Sequence, residues 1–273
     1  MYKNRPAVNN LQRKGVFMEI DTGTLNVTTK SGVKIVDNVR IKVAAGKAYA
    51  LLGKDPRAKR LVMRIAAANL KGAAIIDDES KLCGLPLPPY KAYVFDTNRL
   101  FSFMTCREYL KYGSSGFKTD PQTLDKKIEA LLETVTLSHR ANKKISALTD
   151  AEYLCLCVAF SLLIDCGEVL INADTLKFGR ESREVLNGLI QSLKNAGKAV
   201  LVNLADPRLC GEAFDTVGIM NNGALVLEGE PAELISGEPK VRLIRPTLAS
   251  VYNKVLKQLK TENLKLKNIG LIS

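Results

Sequence analysis

From Ala48 to Leu52 the chain is uninterruptedly apolar, the pattern of a strand buried on both faces, and it stops at Gly53. Beyond the stop, Leu61, Val62, Ile65 and Ala66 recur at three- and four-residue spacing and predict a helix. Upstream, residues 18–29 alternate as a strand, Lys30-Ser31-Gly32 turns, Val33 to Val36 resumes, and Val39 to Val43 alternates as a half-buried strand. Together these predict a small antiparallel β layer. Short strands are also expected at Ala73–Ile76 and Ala92–Phe95, the second after the proline-rich Leu85–Pro89 loop.

Residues 104–163 read as largely helical. Thr105 with Glu108 has the form of a capping box, and Leu124, Ile128, Leu131 and Leu132 stripe a helix over Pro121–Val135. Ala151–Leu163 is apolar nearly all round, which predicts a buried helix. A buried strand (Glu168–Ile171), a helix near Arg183–Lys194 and strands at Ala199–Val202 and Val217–Met220 follow. Asn221-Asn222-Gly223 is a hairpin turn into Ala224–Leu227. This βαβ alternation implies an α/β fold with a mainly parallel sheet.

Composition removes several function classes. The longest apolar run, Leu154–Ile164, is too short to span a bilayer. The six cysteines show no Cys-x-x-Cys pair, so they read as reduced, buried thiols, and no metal-ligand spacing is present. His139 is the single histidine, expected at the surface, so His-based hydrolase chemistry is not expected. Residues 1–17 form a basic N-terminal tail; it carries no hydrophobic signal segment and leaves an organelle presequence as one alternative to a loose end. Net charge is +12, and from Pro239 onward eight Lys/Arg face one acid, Glu262. That surplus suits nucleic acid, an anionic membrane, an acidic partner or a plain solvated face.

The candidate chemistry lies after the central strand. A phosphate-binding loop reads Gly, four residues, Gly, Lys, then Ser or Thr. Gly53 and Lys59 stand in register with it; Ala58 replaces the second Gly and Arg60 the hydroxyl. Pro56 removes an N–H that such a loop would aim at phosphate. Gly53, Arg57, Lys59 and Arg60 are therefore the candidate anion-binding residues, the remnant of a phosphate loop. An ordinary strand–turn–helix with a surface lysine is the plain alternative.

The stretch Phe214–Leu234 adds what the loop lacks. Its Asp215-Thr216-Val217, Asn222-Gly223, Glu228-Gly229, Pro231 and Glu233-Leu234 resemble, almost position for position, a segment of the ATPase subunits of ABC transporters. The resemblance runs from about residue 18 to 236. It implies a P-loop NTPase-like cassette over 18–236, with a helical subdomain at about 97–163 and a basic helical extension over 237–273. In that extension Leu248, Val251, Tyr252, Val255 and Leu259 form an apolar stripe.

The same resemblance marks departures. Asp96 stands where the family has Gln, and Leu148-Thr149-Asp150-Ala151-Glu152 where it has Leu-Ser-Gly-Gly-Gln. Asn172-Ala173 replaces the metal-side Asp and the water-polarising Glu, although a shift of one or two residues would bring in Asp174. Asn203-Leu204-Ala205-Asp206 supplies no switch His, and Thr28-Thr29 no adenine-stacking aromatic. Losing one charge-stabilising group typically costs about 10²–10³ in rate, so a pseudo-ATPase is expected, with no metal, no catalytic residue and no required cofactor; ATP without efficient turnover stays open. The expected setting is cytoplasmic and peripheral to a membrane. Expected partners are another ABC-type subunit or a second copy, and membrane-embedded subunits docking near residues 97–120. The alternatives are a subunit that still hydrolyses ATP for transport, and a nucleic-acid- or ribosome-associated protein. Nucleic acid is the less favoured because aromatics are only 6% and no basic–aromatic stretch exists for base stacking.

Overall fold

The computed structural model describes residues 19–68, 73–76, 91–94, 99, 101–114, 120–174, 182–236 and 248–268. The basic tail, the proline-rich loop, Cys83 and the Phe95-Asp96 step lie outside these. In chain order the strands are β1 (Ile20–Asp21), β2 (Leu25–Thr29), β3 (Lys34–Val39), β4 (Lys42–Val43), β5 (Ala48–Gly53), β6 (Ala73–Ile76), β7 (Lys91–Val94), β8 (Glu168–Ala173), β9 (Ala199–Leu204), β10 (Thr216–Asn221) and β11 (Ala224–Gly229). The helices are α1 (Pro56–Ala67), α2 (Cys106–Gly113), α3 (Pro121–Thr134), α4 (Asp150–Leu163), α5 (Ser182–Asn195), α6 (Pro231–Ser236) and α7 (Leu248–Asn268).

Nine strands form one sheet in the order β6-β2-β3-β11-β10-β5-β9-β8-β7, and β1 pairs with β4 in a separate antiparallel ribbon. The run from β10 to β7 is wholly parallel. Antiparallel pairing joins β2 to β3 and β10 to β11. Between β3 and β11 the register holds one pair, Ala224 with Asp37.

The expected apolar strand is β5, and its alternation divides the core. Ala48, Ala50 and Leu52 face the cluster built by α2–α5 and α7. Tyr49 and Leu51 face a second cluster formed with α1 and the N-terminal strands. Burial on both faces explains why the β5 sequence shows no polar alternation.

The N-terminal strands differ from the expected division. β3 runs through Asp37-Asn38 to Val39, and Arg40-Ile41 breaks the predicted 39–43 strand, leaving Lys42–Val43 as a short ribbon with β1. At the break the Ile41 N–H donates to the Thr22 hydroxyl at 3.0 Å, while Asn38, within β3, takes φ 51, a left-handed value that Asn tolerates. In α7 the buried stripe is Leu248, Val251, Tyr252 and Leu256, whereas Val255 and Leu259 are only half-buried. The α2 capping box between Thr105 and Glu108, the all-round burial of α4 and the Asn222-Gly223 turn are as expected. In that turn Gly223 is required: at φ 80, a Cβ would sit 2.2 Å from the Ile35 carbonyl oxygen.

Candidate functional site

The C-terminal ends of β5, β8 and β9 converge beneath the start of α1, the place where an open parallel sheet presents its ligand crevice. β5 ends at Gly53 with φ 153, and a Cβ there would lie 2.5 Å from the Met220 carbonyl oxygen. Close packing of β5 on β10 is thus enough to require this glycine.

α1 begins three residues later, at Pro56, and its opening is already capped. The Asp55 carboxylate accepts the N–H groups of Arg57 (3.0 Å) and Ala58 (3.1 Å). The Lys59 N–H goes to the Asp55 carbonyl, and Pro56 at the first helical position has no N–H. The positive end of the helix, which attracts anions, therefore holds the chain's own carboxylate. Asp-Pro at the cap and first position is a recognised helix start, and it was the signal that could have identified Asp55.

Lys59 is no surface lysine. Its side chain is 0% exposed, paired with Asp174, whose side chain is 6% exposed. The same ammonium donates to the Leu204 carbonyl at 2.9 Å. Burial pulls the Lys59 pKa below its ordinary value, against the opposing pull of Asp174 and Asp55. Arg57 is exposed, and Arg60 donates to the Pro56 carbonyl at 3.2 Å. Of the four sequence candidates, only Gly53 and Lys59 belong to the crevice, because Arg57 and Arg60 share the outward side of α1.

Asn172 and Asn203 are adjacent in the β8–β9 register and both buried. Asn203 donates through Nδ2 to Asn172 Oδ1 at 2.7 Å, and its own Oδ1 has no hydrogen-bond partner among the described residues. Ala173 closes β8, so Asp174 lies one step past the strand and bonds to Lys59. A neutral amide pair occupies the strand ends, with no carboxylate at Asn172 or Ala173.

The start of α4 is equally self-contained. Thr149 accepts the Glu152 N–H, and Glu152 accepts the Thr149 N–H. Asp150 pairs with Arg99 at 2.7 Å, and Arg99 also donates to the Ile145 and Leu148 carbonyls and lies 5.3 Å from the Tyr153 ring centroid. Arg140 holds Glu152 at 2.7 Å. His139 is exposed, as expected. No group of metal-ligating side chains occurs among the described residues, where five cysteines are buried and free. A cavity of about 830 Å³ opens elsewhere, among Lys47, Tyr49, Cys210, Phe214 and Leu248, and is lined by none of Gly53, Lys59, Asn172, Asp174 and Asn203.

This fold matches solved ATP-binding cassettes. CbiO1 from Clostridium perfringens, described as part of the ABC transporter complex CbiONQ, superimposes with TM-score 0.66 over 92% of this chain and 99% of its own, at 15% identity. A cassette in its ADP conformation gives TM-score 0.63 over 82% of this chain and 97% of its own, at 18% identity. Sequence comparison agrees. A putative ABC transporter ATP-binding protein from Clostridium tetani is 24% identical over 228 residues, covering 81% of this chain. In sequence and in fold the chain resembles the ATP-binding cassettes of ABC transporters.

The Nod factor export ATP-binding protein I of Ralstonia nicotianae is a further relative of the cassette, 25% identical over 235 residues, covering 83% of this chain and 70% of that protein. The chain spans about half, 51%, of the Clostridium tetani relative's length. No protein-family profile matches it.

Proposed function

We propose that this cassette is the nucleotide-binding-domain subunit of an ABC-type assembly in which shape and position are retained and efficient ATP hydrolysis is not. One observation carries the reading: the groups expected to hold a phosphate are already bonded within the chain. Lys59 is held by Asp174, the α1 N-terminus by Asp55, and the α4 N-terminus by Glu152. A nucleotide would have to displace carboxylates from short, partly buried bonds. With Asn172-Ala173 at the end of β8, no carboxylate stands there to hold Mg²⁺ or polarise water. Phosphoryl transfer rests on positioning and charge stabilisation, and those are the functions missing here.

A second reading, a subunit that hydrolyses ATP to drive transport, is favoured by the ATP-binding names of its relatives and by the retained Lys59 frame. Binding of a fluorescent ATP analogue with and without Mg²⁺, together with phosphate release, separates the two. We expect weak, Mg²⁺-independent binding and no release above the Lys59→Ala background. Mg²⁺-dependent turnover that disappears in Lys59→Ala would establish the second reading instead.

The partner is proposed to be membrane-embedded, with a second cassette or a second copy alongside, and the setting cytoplasmic and peripheral. No helix among the described residues is long and apolar enough to cross a membrane. Within the proposed docking region, Phe103 is 67% and Tyr112 53% exposed. Phe101 links them, its ring centroid 6.4 Å from Phe103 and 5.1 Å from Tyr112. Exposed aromatics this close together suit burial against a partner. Phe103→Ser is expected to lower co-sedimentation with membranes carrying the assembly about tenfold; unchanged sedimentation would remove this surface from the reading.

A further inference from the structure

The basic C-terminal helix α7 does not stand apart from the crevice. Leu248, Tyr252 and Leu256, four residues apart, form one buried stripe in the same apolar cluster as Ala173, Leu204 and Leu209. Ala173 immediately precedes Asp174, and Leu204 supplies the carbonyl that Lys59 donates to. The helix packs on the turn Pro207–Leu209, which follows β9 by two residues, and on α6. Tyr252 is 4% exposed. Burial first, and then the charge of Asp174, raise the pKa of its hydroxyl.

We propose that α7 is a latch: docked, it holds the ends of β8 and β9 in the arrangement that keeps Lys59 on Asp174, and undocked, it releases Lys59 to an external oxyanion. The oxyanion class rests on the phosphate-loop reading; the latch itself rests on the packing alone.

The physical basis is the relative cost of the two states. A lysine–carboxylate pair this buried persists only while water is kept out and geometry is held. The stripe does this with the apolar packing of Leu248, Tyr252 and Leu256, which is non-directional and can be made and broken reversibly. Local opening of a peripheral helix is also less costly than opening a central strand. The polar side of α7 fits such a role. Lys257 and Lys260 are exposed, so an acidic partner could draw the helix off without entering the core.

Amine-directed acetylation followed by mass spectrometry tests the latch on the full chain. Lys59 is expected to react far more slowly than Lys257. In the Tyr252→Ala/Leu256→Asp variant its rate is expected to rise roughly tenfold, and added tripolyphosphate is expected to reverse the rise. Hydrogen exchange over residues 248–261 reports whether α7 has left. Unchanged Lys59 reactivity with α7 undocked overturns the latch, as does fast Lys59 labelling in the unaltered chain. A rise that tripolyphosphate does not reverse overturns the oxyanion assignment. If β8 and β9 exchange as well, Leu256→Ala is compared with Leu132→Ala, a truncation of the same size in α3. Equal Lys59 rates in those two variants also overturn the proposal. Labelling is independent of turnover, so an active ATPase would defeat the proposed function without deciding the latch.

Discussion

At the scale of single residues the decisive contact is Lys59 with Asp174. Removing one partner of a buried pair leaves an uncompensated charge, whereas replacing both with apolar groups can be neutral. Asp174→Asn is therefore expected to destabilise the chain by about 3–5 kcal/mol, and Lys59→Met combined with Asp174→Leu by far less; urea unfolding of the three proteins checks the difference. The sequence registers Gly53 and Lys59 through spacing alone. It could not register the Lys59–Asp174 bond, because the partners lie 115 positions apart and meet only through strand order. The Asn172–Asn203 amide pair was hidden for the same reason: it exists only in the β8–β9 register. Asp55 is different. Its capping role was legible from Asp-Pro, but the phosphate-loop template drew attention to the N–H that Pro56 lacks and away from the carboxylate beside it.

At the scale of elements, apolar periodicity placed nearly every described helix and strand, and errors gathered where a single residue interrupts the period. The N-terminal strands break at Arg40-Ile41, and α7 buries Leu256 where the expected stripe ran through Val255 and Leu259. Over residues 248–261 the buried positions of α7 are Leu248, Val251, Tyr252 and Leu256, a stripe spaced by three and four residues. At Gly113 in α2 an added Cβ would fall 1.8 Å from the Phe160 ring of α4. Gly113→Ala is expected to cost about 1–3 kcal/mol by overpacking. Recovery of that loss in Gly113→Ala/Phe160→Leu would identify the ring as the cause, and a thermal melt of each variant measures it.

At the scale of the whole molecule, charge ties distant parts together. The Asp215 carboxylate accepts the Ala48 N–H at the start of β5 and pairs with Lys194 of α5 and Lys47. Burial alone would raise its pKa, but these donors outweigh burial and lower it. Asp21 behaves alike: burial opposes Arg40, the Gly23 N–H and Lys42, which bring it down to about 2. Because both folded pKa values are depressed, the stabilisation is complete above the unfolded carboxylate range. It is lost as pH falls from about 4 towards 2. The urea midpoint should therefore drop across that window, less steeply in Asp215→Asn; an equal drop would separate Asp215 from acid sensitivity.

The single rung between β3 and β11 gives this sheet a seam. The Asp37 backbone N–H donates to the Gly223 carbonyl at 2.9 Å, and Ala224 is the one residue of β11 in register with β3. Elsewhere, β5, β9 and β8 are laced along most of their lengths. Force or denaturant applied across the sheet therefore meets a ladder with one rung in the middle. What resists there is apolar: Leu25, Val27 and Val36 share a cluster with Leu51 and α1. Contacts of that kind are non-directional, so the two halves can slide and pivot before they part. The seam would act as a hinge line in a sheet that is otherwise continuous.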